Sequence, residues 1–172
     1  MSELSGDALA KKQEGNRAMA RRDYAAAEEC FRQVIRLRPD SWEGYLVLAR
    51  LFERTHRHRD LIGLLEPCVD RFGLAAFHRL LGDAYRVLAA RGDRKSIEQA
   101  IEHYGAFHRE RKDPVTLFYL GELLAESGDL EGAFAALRES LELDPRSPTV
   151  RTAATTCARR LDRPELLNSL PT

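Results

Sequence analysis

Four small residues, Gly15, Ala49, Gly82 and Gly121, stand 34, 33 and 39 residues apart, each at the same place in an apolar pattern of helical period. A chain of near-equal units this short cannot bury each unit's apolar face alone, so consecutive units must stack on one another. Leu120, Gly121 and Leu124 fall on one helix face, and Ala133 and Leu137 lie one turn apart on the following helix. The small positions are where two helix backbones approach closely. Gly15 sits in KKQEGNRA, a stretch that otherwise reads as helix interior, where glycine costs about 1 kcal/mol relative to alanine. A residue kept at that cost calls for a packing or ligand reason.

The punctuation between units supports helix pairs. Pro39 and Pro145 close second helices, because the residue before a proline is pushed out of the helical region. Asp40 or Ser41 can cap the next helix, and Gly128-Asp129 reads as a turn with Asp129 as N-cap. Helices are expected over 7–20, 24–37, 42–55, 58–71, 75–90, 95–111, 115–126 and 130–143. They group into units 8–41, 42–74, 75–113 and 114–147 within a single domain, 1–172. The third unit carries about five extra residues around ARGDRKS, expected to lengthen a helix or the turn there. Val150, Ala153, Ala154, Cys157 and Leu161 form a further apolar stripe, expected as a closing helix over 148–161. Pro164 then opens a short helix over 164–170, free to fold back or to dock on a second copy.

The first unit carries Gly15, Ala18, Tyr24, Ala27, Phe31 and Pro39; the fourth carries Leu117, Leu120, Gly121, Leu124, Ala133, Leu137 and Pro145. This resembles the tetratricopeptide repeat, with its 34-residue pattern W-x2-L-G-x2-Y, A-x3-F, P. The second unit is degenerate, with Tyr45, Leu48, Ala49 and Phe52 followed by Leu61, Leu65 and Cys68. The resemblance covers roughly 8–147. It implies an all-α fold: a right-handed superhelical solenoid of antiparallel helix pairs, whose first helices line a concave groove that binds peptides or helices.

Carried onto this chain, the family's groove positions are Leu9, Lys12, Asn16, Met19 and Ala20, then Glu43, Leu46, Arg50, Glu53 and Arg54. The third unit contributes Ala76, Arg79, Asp83, Arg86 and Val87, and the fourth Val115, Phe118, Glu122, Ala125 and Glu126. The residues expected to meet a partner are Lys12, Asn16, Arg50, Arg54, Arg79, Asp83, Arg86, Phe118 and Glu122. Four arginines among them suit bidentate capture of carboxylates, so the implied partner is a protein or peptide with acidic and apolar side chains. Lys12 and Asn16 also match two members of the carboxylate clamp of co-chaperone repeats. The other three members fall on Val47, Ala76 and Leu80, which cannot supply it.

The rest of the sequence bounds the function by exclusion. Basic and acidic residues number 27 each, so net charge argues for neither nucleic acid nor a membrane surface as partner. Only Lys11, Lys12, Lys95 and Lys112 are lysines among the 27 basic residues, an Arg-rich balance that with many alanines suggests a bacterial genome. At 44% hydrophobic and 31% charged, the composition is that of a globular or helical-repeat chain. No apolar leader opens the sequence and no apolar run approaches the ~18 residues of a membrane span, so a cytoplasmic location is expected. Cys30, Cys68 and Cys157 are odd in number and widely spaced, which argues against a disulfide framework, and Cys68 and Cys157, on apolar stripes, read as buried small hydrophobes.

No phosphate loop, HExxH or nucleophile-elbow motif occurs. His56 and His58, two apart, do not share a helix face and read as a solvated basic turn. His103 and His108 read as solvent or flank positions, and Glu28-Glu29 and Glu139 to Glu142 as charged helix faces. The expectation is therefore a non-enzymatic interaction module, without cofactor or metal, as monomer or homodimer. Two alternatives stay open: a secretion or assembly chaperone, and a regulatory or scaffold subunit of an enzyme.

Overall fold

The computed structural model describes residues 6–171. Ten α-helices follow one another: α1 (Gly6–Ala20), α2 (Tyr24–Leu37), α3 (Trp42–Arg54), α4 (His58–Leu65), α5 (Val69–Phe72), α6 (Ala75–Ala90), α7 (Lys95–Glu110), α8 (Pro114–Ser127), α9 (Leu130–Leu143) and α10 (Pro148–Arg160). No strand occurs among the described residues.

Capping side chains fix where these helices begin. Asp23, Asp113 and Asp129 accept hydrogen bonds from the backbone N–H of Ala26, Thr116 and Gly132 at 3.1, 2.8 and 2.9 Å. Each satisfies a donor that the first helical turn leaves unpaired. Ser41 caps α3 through the Glu43 N–H at 3.5 Å, whereas its neighbour Asp40 is instead paired with Arg71. Gly128 ends α8 at φ 100°, a left-handed conformation that a residue with a Cβ adopts only under strain.

Two of the expected helices differ. The helix expected over 58–71 breaks into α4, a 3₁₀ turn over Glu66–Cys68 and the one-turn α5. Pro67 is the cause: it has no N–H to continue the ladder, and its ring collides with the carbonyl four residues earlier. The segment after Pro164 forms a 3₁₀ helix, Pro164–Ser169. The extra residues of the third unit are absorbed as helix length. α6 and α7 have 16 residues each against 14 for α8 and α9, and the exposed turn between them is closed by Gly92 at φ 97°.

The chain divides into two compact units, with the boundary after Ala84 inside α6. In the first, α1 pairs with α2, and α3 packs on α2 and on α4. Ala8, Ala18, Ala27, Phe31, Val34, Leu48, Phe52, Leu61 and Leu65 are buried there. A Cβ on Gly15 would lie 2.8 Å from Phe31 Cδ1 and 3.1 Å from Cys30 Cβ. The glycine in KKQEGNRA is thus the point where α1 meets α2.

In the second unit α7 packs on α8, α8 pairs with α9, and α10 packs on α9. One buried cluster joins Ala89, Ile97, Ala100, Tyr104 and Leu123. Another joins Phe134, Leu137, Leu141, Val150, Ala154, Cys157 and their neighbours. Leu166, Leu167 and Leu170 of the tail fold back onto that second cluster. Arg151 ties the tail down, donating from Nη2 to the carbonyl oxygens of Pro171 at 2.6 Å and Pro145 at 3.1 Å. All three cysteines are buried, Cys68 and Cys157 as their place on apolar stripes implies.

Candidate functional site

In the first unit, Lys12 of α1 is held by Glu43 of α3 at 2.5 Å, a half-buried ion pair linking the two first helices. Lys12 is therefore engaged within the chain, while Asn16 one turn on is exposed. Of the three residues that stand where the carboxylate clamp needs polar groups, Leu80 is part of the core, 1% exposed.

Arg50 and Arg54 lie one turn apart on α3, both exposed, and neither makes a side-chain hydrogen bond or ion pair among the described residues. Arg79 donates to Asp83 one turn along α6 at 2.7 Å. Glu53 lies in the field of the same groups. Burial pushes its carboxyl above the ordinary value of 4.5, Arg79 opposes this, Asp83 adds to it and Arg50 opposes it. Arg50, Glu53, Arg79 and Asp83 therefore form one mixed-charge cluster, with Arg54 at its exposed margin.

In the second unit, Arg86 is committed to aromatic neighbours. Its guanidinium stacks over the Tyr119 ring at 4.0 Å, and its Nε donates to the buried Tyr104 hydroxyl at 3.3 Å. Glu122 is exposed as a residue, yet its carboxyl is pushed above 4.5 by the protein around it. Arg86 pulls in the opposite direction and Glu126, one turn on, adds repulsion. Phe118 lies half-buried against Tyr119, rings 5.6 Å apart, and lines a cavity of about 230 Å³ together with the exposed Val115.

A cleft of about 280 Å³ opens beside Arg86, between Ala89, Tyr119, Glu122 and Glu126. A second, of about 350 Å³, lies between α8 and α10. Its lining includes Gly121, Ala125, Ala153, Thr156 and Cys157, with Glu122 and Glu126 on one side and Arg160 on the other.

Several of these features were not legible as site residues. Tyr104 and Tyr119 had no part in the expected site, yet they seat Arg86. Ala153 and Cys157, read as part of a closing stripe, also wall a cleft together with Thr156; their i, i+3, i+4 spacing was the available signal. His103, expected at a solvent or flank position, is buried and stacked on Tyr85 with ring centroids 5.6 Å apart; it shares the buried face of α7 with Ala100, Ala106 and Phe107 at helical spacing. His58, expected in a solvated turn, is buried as the first residue of α4.

The acidic runs tie helices together. Burial alone would raise Glu28, but hydrogen bonds from Arg32 and Arg57 outweigh it and hold the carboxyl below its ordinary range. Glu139 on α9 is lowered by Lys112 and by His108 of α7, whose Nε2 lies 2.9 Å from it. No group of three or more His, Cys, Asp or Glu is placed to hold a metal ion among the described residues. No helix among them is long and apolar enough to cross a membrane.

Comparison with known proteins supplies the family. Models of the tetratricopeptide repeat match residues 12–60 and 114–147. No curated protein sequence matches the chain. Among solved structures, one titled as the crystal structure of MamA protein aligns over 94% of this chain and 86% of its own, at 15% identity and a TM-score of 0.81. A MamA fragment from Desulfovibrio magneticus RS-1 aligns over 96% and 92%, at 13% identity and a TM-score of 0.78. A thermophilic TPR protein from Thermus thermophilus aligns over 91% and 84%, at 20% identity and a TM-score of 0.61. At such identities the likeness is one of fold: an all-α solenoid of antiparallel helix pairs. Two matched segments, the packed glycines and the shared fold lead to one conclusion: the chain is a tetratricopeptide-repeat protein.

Proposed function

We propose that this protein is a non-enzymatic adaptor that holds a partner segment against the first-helix faces of its repeats. The coarser part follows from the family, whose repeats are protein–protein interaction modules. The finer part rests on one observation above all: Arg50 and Arg54 stand exposed one turn apart on α3 with no side-chain partner among the described residues. Elsewhere in the same unit Arg32, Arg57 and Arg71 are each engaged by a carboxylate. Guanidinium groups left open on a first-helix face suit bidentate contact with carboxylates. In the first unit the binding surface is therefore Arg50, Arg54 and the Arg79–Asp83 pair, with Lys12 and Asn16 at its edge. In the second it is Phe118 and Glu122, with Arg86 shaping the wall. The segment that meets the first unit is acidic and apolar, Phe118 supplies the apolar contact of the second, and the work takes place in the cytoplasm.

Selection from a random library of twelve-residue peptides displayed on phage tests this. The full chain should enrich acidic–apolar sequences, and Arg50→Glu/Arg79→Glu should lose them at unchanged helicity. Enrichment that ignores both arginines would contradict it.

A further inference from the structure

The cleft between α8 and α10 carries a chemistry of its own, opposite to that of α3. Its lining joins the small groups Gly121, Ala125, Ala153 and Cys157 with Leu137 and Thr156, around a space of about 350 Å³ that admits one inserted side chain. Along one edge stand Glu122 and Glu126, one turn apart on α8. Neither makes a hydrogen bond or an ion pair among the described residues. Most other glutamates on the surface, such as Glu14, Glu29, Glu43 and Glu142, are engaged by a lysine or arginine. Arg86, whose charge reaches Glu122, stacks on Tyr119 and donates to the Tyr104 hydroxyl. Arg160, across the cleft, turns a guanidinium nitrogen to the Ala125 carbonyl oxygen at 3.4 Å. Among the described residues, two carboxylates thus border an apolar slot with no cation of the chain paired to them.

We propose that this cleft is a separate docking subsite for a peptide segment carrying an apolar side chain followed within one or two residues by Lys or Arg. The apolar group fills the slot over Gly121 and Ala153, and the cation meets Glu122 and Glu126 at its edge. Burying the side chain supplies most of the affinity, since exposed ion pairs contribute little individually. The carboxylates supply the choice of sign. The proposal rests on reading the first-helix faces as partner-binding and assigns the second unit a preference of opposite charge to the first.

A cellulose-bound array of twelve-residue peptides tests it, varying a central Leu, Met or Ser and flanking Lys, Glu or Ser, probed with the full chain. Leu-Lys and Met-Lys peptides should bind best. Glu122→Gln/Glu126→Gln should weaken them roughly tenfold, as loss of two exposed charge contacts allows. Ala125→Phe, which fills the slot from its edge, should abolish them at unchanged helicity. Lys peptides bound equally by wild type and both variants overturn the subsite. If only acidic peptides bind, and Arg50→Glu/Arg79→Glu loses them, the subsite falls while the adaptor function stands. If no peptide of either sign binds, both fall.

Discussion

Gly121 and Leu137 meet where α8 crosses α9: a Cβ on Gly121 would lie 2.7 Å from Leu137 Cγ and 2.9 Å from its Cδ2. Leu137 is fully buried and cannot swing away, and the Ala133 carbonyl oxygen closes the other side at 3.3 Å. Gly121→Ala should therefore cost about 1–3 kcal/mol by overpacking, seen as a fall in Tm of several degrees by circular dichroism. Gly121→Leu should cost more. Gly105, inside α7, faces open space; Gly105→Ala should stabilise by about 0.5–1 kcal/mol through helix propensity alone. Equal effects at the two glycines would contradict the packing account.

Glu53 should behave as a carboxylate retained against stability. Its folded value lies above the ordinary 4.5, chiefly because it is partly buried. The folded state thus binds its proton more tightly than the unfolded chain does. The associated stability is complete below 4.5 and is lost as pH rises through the folded value. Glu53→Gln should raise Tm at about pH 7 and leave it unchanged near pH 3, measured by thermal melts across that range.

Glu139 carries the reverse sign. Lys112 and His108 hold it below 4.5, so its stability is present above that value and is lost as pH falls through the lowered one. Glu139→Gln should lower Tm at neutral pH, and the difference should close in acid. A difference that persists at about pH 2 would point to packing in place of charge.

The tail should act as a cover for the end of the second unit. Leu166, Leu167 and Leu170 lie on the cluster built by α9 and α10, so a chain ending at Asp162 exposes apolar surface. It should melt lower and associate with itself, as light scattering would register; a monomer of unchanged Tm would deny the tail this role.

Much of the fold was legible because the repeat fixes register. Gly15 and Gly121 mark helix crossings, and Asp129 and Gly128 mark a turn by their own backbone chemistry. The break at Pro67 was equally available from the residue type, and only the apolar stripe running through it concealed it. The candidate site was less legible. Periodicity puts Arg86 on a groove-facing position but does not say that Tyr119, a helix away, will hold its guanidinium. Nor does it say that Lys12 will be taken by Glu43. Which charges are left open is decided by pairings across helices, and those depend on side-chain reach in three dimensions.

Hydrogen–deuterium exchange on the full chain, with and without a peptide taken from the phage selection, tests the central claim most directly. The account predicts slowed exchange on α3 around Arg50 and on α6 around Arg79, with α2, α7 and α9 unchanged. Protection confined to α2, α7 or α9, with α3 unaffected, would contradict it.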